Sequence, residues 1–176
     1  MDDRGFTIIE LVLVIIVVAI VAAVAIPQFS RYWGGIKVGN AAMKIASDIR
    51  YAQNRATTTQ QRSQVNFAAS GTSYTINSCA IADYTSSTCN CGGAGWISVK
   101  PVVSFTSGEF KDITLATVTG NCIEFDSLGR PYYNTNCSNP ASPCPSTQTI
   151  PLFNVQYSGS TRQITVTTQT GMVQVN

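Results

Sequence analysis

From Leu11 to Ile26 the chain carries no polar side chain, and Glu10 stands at the head of that run. Written as a helix, Phe6 to Ile26 is roughly 31 Å long, about the thickness of a bilayer's hydrocarbon core. Nothing else in the sequence limits the fold as strongly, because such a segment needs lipid or other apolar surface along its whole length. A cleaved secretory signal fits poorly: "AAVAIPQFSRYW" offers no small-residue cut after the apolar core and runs on into polar, helix-like sequence. The small residue at a sharp polar-to-apolar junction is Gly5, ahead of the run. A plain anchor explains everything except Glu10. An acid deep in a bilayer costs about 2.5–3.5 kcal/mol, and less near the edge, so the carboxylate is a functional candidate in need of a partner.

Beyond the run, composition speaks to compartment. The chain has six cysteines and no histidine, with a tract rich in Ser, Thr, Asn and Gly between Ser70 and Gly95. Cys79, Cys89, Cys91, Cys122, Cys137 and Cys144 all follow the apolar segment. An even count in a small domain favours disulfides, which puts that side of the chain in an oxidising space and leaves Asp2, Asp3 and Arg4 in the cytoplasm. Zinc is the weaker reading, since "CNC" lacks the usual two-residue spacer and no His is available as a ligand. The sequence calls for no metal and no cofactor.

From Ser30 to about Arg62 the apolar residues recur at helical spacing. At about 100° per residue Val38, Ala42, Ile45, Ala46, Ile49, Ala52 and Ala56 share one face, so a small-residue stripe is expected to pack on something. This segment and the apolar run are expected to form one helix of roughly 55 residues, on the order of 80 Å long, bent at Pro27. Gly34, Gly35 and Gly39 soften it just beyond, by about 1 kcal/mol each relative to Ala.

After Arg62 the pattern changes to short β-branched and aromatic segments: "SQVNFAA", "TSYTIN", "GWISVKP", "ITLATV", "CIEFD", "PLFNVQY", "RQITVTT" and "GMVQV". Turn signals at Ser70-Gly71, Gly120-Asn121, Gly129-Arg130-Pro131 and Gly159-Ser160 separate them, and "ITVTTQTGMVQV" reads as a closing hairpin. The stretches Ser78 to Gly95 and Tyr133 to Thr149 read as loops held by disulfides. The expected fold class is α+β: a long N-terminal helix packed on an antiparallel, β-rich head.

The opening "RGFTIIELVLVI" resembles the class III signal of type IV prepilins and type II secretion pseudopilins. The resemblance implies a leader over residues 1–5, a transmembrane and polymerisation helix over 6–29, an amphipathic helix over 30–62 and a head over 63–176. It implies cleavage by a prepilin peptidase after Gly5 and N-methylation of Phe6. It also implies that Glu10 neutralises the α-ammonium of a neighbouring subunit, and that Pro27 is the helix-kink position. An unpaired ammonium in an apolar filament core is as costly as an unpaired carboxylate, so physics supports the pairing independently. The segments "DIRYAQNRATTTQQRSQVNF", "CIEFDSLGRPYYN" and "ITVTTQTGMVQV" are similar to the GspH/FimT-type minor pilin and pseudopilin head, which carries fewer cysteines than this chain. The implied partners are the peptidase, other pilin or pseudopilin subunits and a bacterial inner membrane, spanned once with the head periplasmic before assembly into a filament.

Other functions compete with this structural one. Lys37, Lys44, Arg55 and Arg62 fall within about 20° of one another on a helical wheel, a basic stripe that could contact DNA during uptake or, more blandly, headgroups and neighbouring subunits. The head adds Lys100, Lys111, Arg130 and Arg162, which form no phosphate-binding run. Trp96, Tyr132 and Tyr133 could furnish an adhesive surface, although aromatic residues in strands are more often core. Glu124 and Asp126 sit two apart in "CIEFD", too few oxygens for a cation site. Without His or any nucleophile-base spacing, the sequence does not read as an enzyme.

Overall fold

The computed structural model describes residues 7–79, 89, 95–117, 121–133, 149–168 and 170–176. Gly5, Phe6, Cys91, Cys137 and Cys144 lie outside the described residues, as does most of each cysteine-bearing loop.

One helix, α1 (Ile8–Thr59), accounts for 52 residues. It runs as a single element through Pro27 and the glycines at 34, 35 and 39. Helical spacing carried to Arg62 overshoots, because the helix stops at Thr59 and Gln60 turns left-handed at φ 56°, ψ 27°. Its last residues, Thr57, Thr58 and Thr59, are β-branched, and their hydroxyls donate to the carbonyls of Asn54 and Arg55 at 2.8–2.9 Å. Such back-bonding competes with helix propagation, and the left-handed residue closes the last turn.

Among the described residues ten strands follow: β1 (Ser63–Phe67), β2 (Ser73–Cys79), β3 (Trp96–Ser98), β4 (Val103–Ser104), β5 (Thr114–Thr117), β6 (Cys122–Phe125), β7 (Pro131–Tyr133), β8 (Thr149–Tyr157), β9 (Ser160–Thr167) and β10 (Val173–Val175). They form two antiparallel sheets. The first has the order β3-β2-β1-β6-β7, with β4 also paired to β2, and the second the order β10-β9-β8-β5. The terminal hairpin pairs Val173 with Val166 and Val175 with Ile164. Between β8 and β9, Ser158 and Gly159 both take positive φ, 46° and 80°. That is the two-residue turn whose twist suits paired strands. Strands β4 and β7 escape a reading by pattern: β4 is two residues long, and β7 opens on Pro131, which is tolerated at the start of an edge strand.

The head-facing side of α1 is the small-residue stripe. Val38, Ala42, Ile45, Ala46, Ile49, Ala52 and Ala56 are fully buried, joined by Ala41. Alanine at these positions lets the helix axis approach strands of both sheets closely. Phe67 of β1 and Phe153 of β8 meet with ring centroids 3.9 Å apart, tying one sheet to the other over the helix. The sheets also touch at the β1–β2 turn. There the Leu115 amide of β5 donates to the Gly71 carbonyl at 3.0 Å, and a Cβ on Gly71 would lie 2.3 Å from the Leu115 carbonyl oxygen. Glycine is therefore required on two counts, the contact and a φ of 67°.

Candidate functional site

The helix is divided by environment. Ile8–Ile26 has a mean hydropathy of 3.3, and none of it is buried by the rest of the chain. A bare apolar cylinder of this length is stable only when lipid or other helices cover it. Thr7 is the N-cap, with its hydroxyl accepting the Glu10 amide at 3.3 Å. Glu10 thus occupies the third helical position of a T-x-x-E arrangement, the pattern of a capping box. That signal is legible in "TIIE" and offers a second role for the acid. Its size decides its weight: a carboxylate in the first turn gains about 0.3–1 kcal/mol from the helix dipole, less than the about 2.5–3.5 kcal/mol that an acid deep in a bilayer costs. Capping therefore does not account for Glu10 wherever apolar material closes around it.

Where α1 ends, one side chain holds the head's motifs together. The Gln53 amide donates to the carbonyls of Gly129, at 2.9 Å, and Thr170, at 2.7 Å. These carbonyls belong to the β6–β7 and β9–β10 turns, one from each sheet. Nearby the Arg50 guanidinium donates to the Val173 carbonyl at 2.7 Å. The three head segments quoted above thus meet at one end of the helix. Asp126 shapes the first of these turns by accepting the amides of Leu128 and Arg130 at 2.9 and 2.8 Å.

The basic stripe does not survive folding. Arg62 lies past the helix end, is 1% exposed, and is ion-paired with Glu124, itself fully buried. Burial pulls the Arg62 guanidinium below its ordinary value, yet Arg stays protonated at any working pH. Lys44 pairs with Asp48 at 2.7 Å, and Arg55 is half-buried. Lys37 donates to the Lys111 carbonyl at 2.6 Å and lies 4.2 Å from the centre of the Tyr157 ring. Lys37 thus ties the helix to the head and Lys44 pairs within the helix, while Arg62 inside the head leaves the stripe one cation short. The adhesive reading fares no better: Tyr132 and Tyr133 are buried and Trp96 is half-buried. Glu124 and Asp126 have internal partners, Arg62 for the first and Arg130 with Tyr132 for the second.

Asp48 is a residue that spacing alone passed over. It is buried and accepts hydrogen bonds from Lys44, Tyr74 and Lys100 at 2.7, 2.7 and 3.2 Å. Burial pushes its carboxyl up, but the three hydrogen bonds together outweigh burial and hold it below the usual carboxylate value. Burial first, and then the same carboxylate, drive the Tyr74 hydroxyl well above its ordinary range. Among the cysteines, Cys79 at the end of β2 is bonded to Cys89, with Cα atoms 5.9 Å apart, and Cys122 is also disulfide-bonded.

The prokaryotic N-terminal methylation motif matches residues 1–26. The fold is similar to that of the type IV minor pilin FimU of Pseudomonas aeruginosa. That crystal structure is similar at a TM-score of 0.50 and 15% identity, over 79% of this chain and 87% of FimU. The chain joins a prepilin-type N-terminus to a pilin-like fold. The minor pseudopilin EpsH of the Vibrio cholerae type II secretion system is similar at a TM-score of 0.45 and 14% identity, over 81% of this chain and 97% of EpsH. No curated protein sequence matches the chain.

Proposed function

We propose that this pilin-like chain is a structural subunit, a minor one, of a type IV pilus or a type II secretion pseudopilus. A prepilin peptidase would remove Met1 to Gly5, Phe6 would be N-methylated, and the helix would hold the subunit in a bacterial inner membrane with the head on the periplasmic side until assembly. The observation that carries the reading is the bare span Ile8–Ile26 with its single carboxylate, Glu10, one turn from the prepilin-type junction. In a filament core that carboxylate meets the α-ammonium of a neighbour's Phe6. Removing one member of a buried pair typically costs about 3–5 kcal/mol, enough to stop a subunit joining. The disulfide between Cys79 and Cys89 supports an oxidising compartment for the head.

Intact-mass measurement of material sheared from cells tests processing. The expected species begins at methylated Phe6, and Gly5→Val leaves uncut precursor in the membrane. Met1 found in assembled protein would overturn the assignment.

A further inference from the structure

Phe29, Tyr32, Trp33 and Ile36 follow one another at i, i+3, i+4 and i+7, and are 63%, 68%, 64% and 38% exposed. At about 100° per residue they centre on the face opposite Val38, Ile45 and Ala52, so the body of the head lies on the other side of the helix and leaves them exposed. The same face turns mostly polar above, at Asn40, Ser47 and Asn54, with Met43 and Tyr51 as isolated exceptions. The apolar stripe is therefore a band, confined to about two turns just past the bare span. Three of the four aromatic residues of α1 lie in it.

We infer that this band is a collar that seats the base of the head in the headgroup layer of the membrane. The inference rests on the reading that Ile8–Ile26 spans a bilayer. With Ile8 at one edge of a core about 30 Å thick, a rise of about 1.5 Å per residue brings the other edge to about Gln28. Phe29 then stands about 2 Å beyond that edge, Tyr32 about 6 Å and Trp33 about 8 Å, spanning a headgroup layer about 5–8 Å deep, with Ile36 just above it. Tyr and Trp are the residues whose rings, apolar with one polar tip, favour that layer. A seam with another helix would continue along the shaft and would not need polar-tipped rings at one level. Trp33 and Ile36 also wall a groove of about 660 Å³ with Phe110 and Tyr157, so the underside of the head lies directly over the collar. Lys37, held over the Tyr157 ring, marks the upper limit of the band.

The test uses the full chain in vesicles of phosphatidylethanolamine and phosphatidylglycerol with brominated acyl chains. The emission of Trp33 is the difference between wild type and Trp33→Phe, which leaves Trp96 in both. Trp33→Phe/Val18→Trp, compared with Trp33→Phe, reports the span. Bromines near the glycerol should quench Trp33 more than terminal ones, iodide in the water should quench it little, and Val18→Trp should respond most to terminal bromines. Deep quenching at Val18→Trp with Trp33 open to iodide and blind to lipid would overturn the collar and leave the span standing. Lipid-blind emission at both positions would overturn the span and the collar with it. Trp33 shielded from iodide but blind to bromine, with shielding lost on dilution into excess lipid, would assign the band to a second copy of the chain and overturn the lipid reading.

Discussion

Glu10 and Arg62 are both charges in apolar surroundings, but the first faces outward and the second inward. Glu10→Gln separates the roles of the first, because glutamine retains the capping box while losing the charge. If Glu10 is a countercharge, this variant and Glu10→Val should both insert and be cleaved, yet both should be depleted from sheared filaments relative to the membrane pool. Equal incorporation of Glu10→Gln would reduce the acid to a helix cap. Arg62 has its partner within the head, and Arg62→Met strands Glu124 in the core. A loss of about 3–5 kcal/mol is expected in denaturant unfolding, whereas replacing both residues with apolar ones should recover much of it. Asp48 contributes with a definite sign. Its folded pKa is depressed, so the stability it supplies is present above the unfolded value of about 3.9 and disappears as pH falls through the lower folded value. The acid limb of the stability profile should flatten in Asp48→Asn, and an unchanged limb would remove Asp48 from the account.

At the level of elements, α1 does two jobs that demand different surfaces. Its head-facing stripe is small so that strands of both sheets can come close, and Ala46→Leu should cost about 1–3 kcal/mol by overpacking even though leucine is the more apolar residue. Gln53 is the polar counterpart of that contact. Gln53→Ala leaves the Gly129 and Thr170 carbonyls without their donor, a loss of about 1–3 kcal/mol, and should raise amide exchange first in the β6–β7 and β9–β10 turns. Exchange that rises uniformly across the head would mean that Gln53 acts through global stability and not as a clamp on two turns. The other half of α1 gains nothing from the head, so its sequence answers to what lies outside the chain.

For the molecule as a whole, the division between a bare shaft and a packed head means that stability and assembly are separable properties. Disulfides bear on the first. The pair Cys79–Cys89 closes a separation of 10 residues at the end of β2, and its replacement by serines should cost about 2–4 kcal/mol without affecting insertion of the shaft. A melt of the double variant with and without reductant checks this: reductant should lower the wild-type transition by more than it lowers the variant's. An equal shift in both would place the redox-sensitive stability in other cysteines.

What could be read along the chain was whatever repeats at short range. The apolar run, the stripe from Val38 to Ala56 and the alternation in "SQVNF" and "ITVT" each express a period of one element, and each was visible because neighbours a few residues apart share a face. Tertiary structure decided which distant residues meet. Arg62 looked like one more cation on a stripe, but the helix ended at Thr59 and turned it inward to Glu124, 62 residues further on. Gln53 carried no signal of its own until two turns, 76 and 117 residues away, arrived at its amide. Cys79 had several candidates, and the folded head pairs it with Cys89. Such partnerships depend on how strands close over long loops, which no local period encodes, whereas the bare face of α1 was plain from the start because nothing in the fold ever covers it.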